Sequence, residues 1–119
     1  MCASSLTKRK TTFGRIWHVL SFDYVGAPRN SKWINISPIP RVWEQMNLTY
    51  EYGVRKLWIV NVGDLKPMEY PITFFLDMAW NPEKFNAQNL QRHTEDFCAQ
   101  QFGEKYAKEA ARILSQYAK

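Results

Sequence analysis

The stretch that decides the fold is residues 56–76, KLWIVNVGDLKPMEYPITFFL. A continuous apolar run at 57–60 is typical of a parallel strand that is covered on both faces. Residues 61–69 intersperse four polar side chains with a glycine, a proline and apolar residues, and the apolar segment that begins at Pro71 predicts a helix. In such a strand–loop–helix unit, the residues just past the carboxyl end of the strand line the ligand crevice. Residues 61–69 are therefore the first candidate site.

This loop carries an amide, two acids and a base: Asn61, Asp64, Lys66 and Glu69. Turns favour Asn, Gly, Asp and Pro for backbone reasons alone, so composition leaves a binding role and a turn-forming role equally open. Asp64 and Lys66 are expected to pair with each other on the loop.

Upstream of this stretch, residues 16–24 are rich in aromatic and β-branched residues and predict a first strand. A helix is predicted over 41–52, with Gly53 as its left-handed stop. Its inner face should carry Trp43, Met46 and Tyr50. Together with 57–60, these elements form a strand–helix–strand crossover, which is right-handed by the general rule.

Downstream, the helix from Pro71 should end at 81–83. Its predicted inner stripe is Ile72, Phe75, Leu76 and Ala79, with Phe74 and Met78 on further apolar faces. Asn86 is expected to cap a helix that runs to Phe102 and is closed by Gly103, with Leu90, Thr94, Phe97 and Cys98 inward. A last helix over 104–117 should pack antiparallel against it.

The composition, with 45% hydrophobic and 15% aromatic residues among 119, is that of one folding domain. The net charge is +5, but the basic residues are dispersed apart from the run at 8–10, which is typical of a solvated tail, so nucleic acid is not the expected partner. Cys2, Cys98, His18 and His93 are too far apart in sequence to form a metal or disulfide pattern, and no cofactor is expected.

The sequence predicts neither a membrane span nor a convincing signal peptide. No apolar stretch approaches the roughly 20 residues that cross a bilayer. The apolar segment at 16–20 is too short and polar for a signal sequence. Two parallel strands cannot make a self-sufficient sheet, so the chain is expected to be a slice of a larger structure, with exposed apolar faces that favour self-association.

Four long strings carry a family resemblance: FDYVGAPRNSKWIN (22–35), VWEQMNLTYEYG (42–53), LWIVNVGDLKPMEYPITFFLDMAWNPE (57–83) and NLQRHTEDFCAQQFGEKYAKEAARIL (89–114). In order and spacing the chain resembles glycoside hydrolase family 115, whose members are xylan α-1,2-glucuronidases. The resemblance fades upstream of Phe22. It implies an α/β fold in which 16–80 is a fragment of a (β/α)8 barrel (one βαβ unit) and 81–119 is a helical hairpin from a following helical domain. Residues 1–15 are predicted to be a disordered tail.

The resemblance also implies that Tyr24 and Asn61 bind substrate. Asp64, Lys66 and Glu69 are supporting candidates because of their place on the loop after the second strand. A phenol and an amide can hydrogen-bond a sugar, and a tyrosine ring can pack on its apolar face. Alternatively, Tyr24 is a core aromatic residue and Asn61 a turn former. Family members commonly have His where this chain has Ser21.

The implied function is that of a glycoside hydrolase fragment with part of a glucuronic-acid pocket, inactive alone, acting on glucuronic-acid-substituted xylan. Asp23 alternates with Tyr24 and is expected on the opposite side of the strand, so no catalytic carboxylate is assigned. No metal is expected. The alternative is a small non-catalytic sugar-binding or protein-interaction module. Members of the family are typically periplasmic or secreted.

Overall fold

The structure, a computed structural model, describes residues 17–22 and 33–118. In this part of the chain, two strands and four α-helices form a mixed α/β fold: β1 (Trp17–Ser21), α1 (Ile39–Glu51), β2 (Leu57–Asn61), α2 (Glu69–Trp80), α3 (Leu90–Phe102) and α4 (Ala107–Tyr117). Short 3-10 turns at Lys66–Met68, Pro82–Lys84 and Glu104–Tyr106 precede α2, follow it and precede α4.

The two strands are parallel neighbours, as the sequence predicted. Trp17 lies opposite Leu57, and the register continues to Ser21 opposite Asn61. The backbone N–H of Phe22 then donates to the carbonyl of Asn61 at 2.7 Å, which extends the pairing by one bond. The strand predicted over 16–24 ends at Ser21, and the rest of its predicted extent, at residues 16, 23 and 24, lies outside the described residues.

Only one face of the sheet is covered by the described residues, so the expectation of a strand buried on both sides is wrong there. Leu20 and Phe22 are buried against α1 and α2, and Phe22 meets the Phe75 ring of α2 edge to face. The opposite face carries the exposed side chains of Trp17, Val19, Leu57 and Ile59. The sequence is apolar on both faces, but the helices that follow each strand pack on the same side.

Helix α1 begins two residues earlier than expected, after Pro38, with Pro40 in its first turn. Its buried residues are Ile39, Val42, Met46 and Thr49. Of the predicted inner face only Met46 is fully buried, whereas Trp43 and Tyr50 lie at the edge of the core. Gly53 ends the helix with a φ of 85°, which confirms the left-handed stop.

The inner stripe predicted for α2 is partly wrong. The helix starts at Glu69, and its buried residues are Tyr70, Pro71, Phe74, Phe75 and Met78. Leu76 is 58% exposed and Ala79 is also exposed. Because α2 is apolar on most of its circumference, periodicity does not choose its buried face. The choice is made by contacts with the sheet and with the α3 side, where Phe74 meets the rings of Phe85 and His93.

Helices α3 and α4 form the predicted antiparallel pair. Asn86 caps the turn before α3 rather than α3 itself: its side-chain oxygen accepts the N–H groups of Gln88 and Asn89, each at 3.0 Å. Cys98 packs against Ala107 and Ala111 near the start of α4, while Ser115 at the other end bonds Gln91. Leu90 and Thr94 are also buried, and Gly103 closes α3 with a φ of 88°.

Helices within 17–22 and 33–118 are too short and polar to cross a membrane. In the same ranges, no group of three or more His, Cys, Asp or Glu side chains gathers where it could hold a metal ion. The division into a barrel segment at 16–80 and a hairpin at 81–119 stays a prediction.

Candidate functional site

Asn61 is the last residue of β2 and lies beside Ser21, its partner at the end of β1. Side chains alternate between the faces of a strand, so Asn61 falls on the same face as Leu57 and Ile59, the face that the helices leave open. Its side chain is exposed. The carboxyl ends of both strands therefore meet at one edge, with an amide on the open side.

Tyr24, the second predicted binding residue, lies outside the described residues, as does Asp23. Whether Tyr24 and Asn61 share one hollow stays a prediction. Phe22 is the nearest described residue to Tyr24 along the chain, and the bond from its backbone N–H to the Asn61 carbonyl fixes where the first strand leaves the sheet.

Asn61 also forms a turn, as the alternative interpretation expected. Its side-chain oxygen accepts the backbone N–H of Gly63 at 3.4 Å, and Gly63 has a φ of 66°, in the left-handed region. This bond orients the amide and commits one oxygen lone pair. The side-chain N–H groups donate to no described residue, so they remain available to a ligand on the open face.

The three supporting candidates Asp64, Lys66 and Glu69 are all exposed on the loop that follows. The expected pairing of Asp64 with Lys66 is wrong, because the ion pairs among the described residues are Asp77 with His93 and Glu109 with Arg112. Glu69 begins α2, where a carboxylate interacts favourably with the helix dipole.

A second segment holds this loop in place. The backbone N–H of Asn35 donates to the carbonyl of Pro67, and the Asn35 side-chain oxygen accepts the N–H of Tyr70 at 3.1 Å. Asn35 has a φ of 46°, a left-handed conformation that asparagine tolerates better than most residues. The loop after β2 is thus tied to the segment that enters α1.

A hydrogen-bonded chain that sequence reasoning missed crosses from α2 to α3. His93 Nε2 lies 2.8 Å from Asp77 Oδ2, and His93 Nδ1 lies 3.4 Å from the Tyr70 hydroxyl. The Tyr70 hydroxyl and Thr94 Oγ1 share a hydrogen bond of 2.6 Å, and Thr94 Oγ1 also lies 3.2 Å from the Leu90 carbonyl. Sequence spacing did not reveal this chain, because its partners lie 16 to 24 residues apart on different helices.

Burial raises the pKa of Tyr70 well above its usual range, an effect larger than the opposing one of its hydrogen bond to Thr94. The phenol therefore keeps its proton near pH 7. Tyr70 and Thr94 lie on the wall of a groove of about 560 Å³, between the start of α1, α3 and the end of α4.

The family to which the chain belongs is shown by a match to a protein-family model. The family model described as Glycosyl hydrolase family 115 matches residues 1–119. The chain belongs to this family. The match includes the segment upstream of Phe22, where the resemblance was expected to fade, and it confirms the family predicted from the four sequence strings.

A solved structure of another family 115 protein matches the fold. It is described as a 4-O-methyl-α-glucuronidase with specificity for decorated arabinogalactans. The sequences are 31% identical, the TM-score is 0.75, and the match covers 84% of this chain and 13% of that chain. A comparison with curated proteins gave no match. This family 115 chain thus spans a small part of the length of its solved relative.

Proposed function

We propose that the chain is part of an α-glucuronidase-type glycoside hydrolase and contributes part of its pocket for glucuronic acid. In this proposal the βαβ unit belongs to the end of a (β/α)8 barrel, and α3 and α4 begin the following helical domain. The family match over the whole chain supports the glycoside hydrolase assignment. The parallel pairing of β1 and β2 is the arrangement that such a barrel needs.

The observation that carries the proposal is the position of Asn61. Its exposed amide ends a parallel strand on the face opposite the helices, and active sites of (β/α)8 barrels lie at this end of the strands. Tyr24, three residues after Ser21 in the sequence, would supply the second contact from the neighbouring strand.

The proposed substrate is a glycan that carries glucuronic acid or its 4-O-methyl ether, with glucuronoxylan as the first candidate. The solved relative is named for decorated arabinogalactans, whose main chain differs from that of xylan, so the proposal rests on the uronic acid side group and not on the main chain. The uronic acid side group is the feature that the pocket should recognise.

We expect the 119 residues alone to hydrolyse no glucuronoxylan. Glycoside hydrolysis normally needs two carboxyl groups roughly 5 to 9.5 Å apart, flanking the scissile bond. Asp64 and Glu69, the described acids near the carboxyl ends of the strands, lie on the loop. Neither is assigned as one of the two catalytic carboxyl groups. The test is to incubate the purified chain with a glucuronic-acid-substituted xylo-oligosaccharide and to measure released uronic acid. Release at rates typical of a glycosidase would contradict the proposal.

Binding is tested separately from hydrolysis. Titration of the 119-residue chain with glucuronic acid, followed by NMR, should shift the signals around Asn61, and Asn61→Ala should remove those shifts. Asn47→Ala is the matched control, because Asn47 lies on α1 and its amide bonds Glu51. Equal loss in both variants, or no shift near Asn61 in the unsubstituted chain, would count against the pocket.

A second candidate function, that of an interaction module, is supported by the open face of the sheet. Trp17, Val19, Leu57 and Ile59 form a contiguous apolar surface on neighbouring strands. We propose that this face contacts further polypeptide, and that in the isolated chain it promotes self-association. Ile59→Asp should then lower the mass measured by sedimentation, whereas Leu76→Asp, an exposed change on α2, should not.

A further inference from the structure

The groove between α1, α3 and α4 is separate from the strand edge. Its walls include Tyr70, Thr94 and Trp43, and none of Asn61, Asp64, Lys66 or Glu69. Its volume of about 560 Å³ lies in the range of small-ligand sites. Asn35 joins the two regions, because it lines the groove and also bonds Pro67 and the backbone of Tyr70.

An exposed aromatic pair stands next to this groove. The rings of Trp33 and Tyr117 lie 6.3 Å apart at 48°, and they are 69% and 43% exposed. Each is close in sequence to a lining residue, Asn35 and Ala118 respectively. Within the groove, Trp43 donates its ring N–H to the Phe85 carbonyl at 3.2 Å, which fixes the orientation of a third aromatic ring. Flat aromatic faces of this kind pack well on the C–H faces of pyranose rings.

The polar groups of the groove suit hydroxyl groups rather than a carboxylate. Ser115 and Gln91 are bonded to each other at 3.2 Å from facing helices, and both are exposed. An amide and a hydroxyl can each both donate to and accept from a sugar hydroxyl. Glu44 is the one charged side chain among the described residues that line the groove. A uronate carboxylate would find no cation among these described residues and would be repelled by Glu44.

We propose that this groove, with Trp33 and Tyr117 at its mouth, binds uncharged sugar units of the glycan chain, while the strand edge takes the charged one. The inference rests on the proposed function, because it makes the groove a second subsite for the same substrate. The proposed ligand is a neutral oligosaccharide for two reasons. The aromatic rings and the amide and hydroxyl groups of the groove favour an uncharged sugar, and the negative charge of Glu44 disfavours a uronic acid.

The test uses the full 119-residue chain and xylotetraose as a neutral probe, with binding followed by tryptophan fluorescence and NMR. Trp33→Ala should weaken binding about tenfold, the effect of losing one stacking contact of about 1.4 kcal/mol. Trp80→Ala is the matched control, because Trp80 is at the exposed end of α2 and does not line the groove, and it should leave the affinity unchanged. Free glucuronic acid should cause no shifts at Ser115 or Gln91.

The outcomes separate this inference from the proposed function. Loss of glucuronic acid binding in Asn61→Ala with unchanged xylotetraose binding would support both subsites. No xylotetraose binding at millimolar concentration, or equal affinity in Trp33→Ala, would overturn the groove alone. If Trp33→Ala instead changed the sedimentation mass and not sugar binding, the aromatic pair would be a protein contact and the inference would be wrong. If the chain bound xylotetraose in a Trp33-dependent manner but did not bind glucuronic acid, the groove subsite would be supported and the pocket at Asn61 would be overturned.

Discussion

His93 Nε2 and Asp77 Oδ2 lie 2.8 Å apart and join α3 to α2. The imidazole is mostly buried, with rings of Tyr70, Phe74 and Phe85 around it at centroid distances of 5.9, 5.1 and 5.5 Å. Its second nitrogen faces the Tyr70 hydroxyl, which in turn shares a hydrogen bond with the Thr94 hydroxyl. One residue of α3 thus fixes both an acid at the surface and a phenol on the groove wall.

The first prediction concerns this junction. His93→Ala should lower the free energy of unfolding by about 1–3 kcal/mol, because it removes buried ring contacts as well as two polar contacts. Asp77→Ala should cost less than about 1 kcal/mol, since the Asp77 side chain is 53% exposed and water screens the pair. Urea unfolding followed by circular dichroism measures both.

The control is Asp96→Ala, an exposed acid on α3 that forms no ion pair among the described residues. It should change stability by less than Asp77→Ala does. If His93→Ala were as mild as Asp96→Ala, the junction would contribute nothing measurable to the fold.

The second prediction concerns pH and His18. Its Nε2 is buried with no hydrogen-bond partner among the described residues, and burial lowers the pKa of His18 below 6.5. As pH falls below about 6.5, the unfolded chain takes up a proton that the folded chain resists, so stability falls with falling pH. Above pH 6.5 the ring is neutral in both states and this effect vanishes.

His18→Phe tests that assignment. Phenylalanine keeps a ring on the covered face of β1 and has no titrating nitrogen, so its stability should fall less than that of the unsubstituted chain between pH 7.5 and pH 5.5. Urea unfolding at the two pH values gives the comparison. An identical loss in the two proteins would mean that other groups cause the pH dependence.

The sequence predicted which elements exist and in what order because each has its own local signal. Gly53 and Gly103 end helices with positive φ, and the apolar run at 57–60 is too short for a helix. The parallel pairing followed from the helix between the strands. The position of Asn61 at the carboxyl end of the second strand followed from the order of the elements, whereas its binding role came from the family resemblance and stays a prediction.

What the sequence did not predict depends on contacts between distant residues. Leu76 and Phe74 lie two positions apart on a helix that is apolar nearly all round, and only the packing partners decide which of them is buried. The same holds for His93, whose partner Asp77 is on another helix, and for the groove, whose walls include residues of all four helices. Exposed apolar faces were predicted, but not which face of the sheet stays open, since an apolar strand does not reveal what covers it.

The third prediction tests the corrected face of α2. Phe74→Ala should cost about 3–5 kcal/mol, because Phe74 is fully buried and its ring contacts Phe85 and His93. Leu76→Ala should change stability by less than about 1 kcal/mol, since that side chain is 58% exposed. Chemical unfolding of the two variants measures the difference. If Leu76→Ala lowered the free energy of unfolding more than Phe74→Ala does, the buried face predicted from periodicity would be correct.

The fourth prediction concerns the packing of α3 on α4. Cys98 is fully buried between Ala107 and Ala111, and burial raises the pKa of its thiol, so little reactive thiolate forms. In a Cys2→Ser background, a thiol reagent should label Cys98 only as fast as the helix pair opens, and urea should accelerate the labelling.

The matched control carries Cys2→Ser, Cys98→Ala and Gln100→Cys, which moves the thiol to an exposed position of the same helix. The control should react at the rate of a free thiol without urea. If Cys98 reacted as fast as the thiol introduced by Gln100→Cys, α3 and α4 would not be packed together in solution, and the groove that they help to line would lose one of its walls.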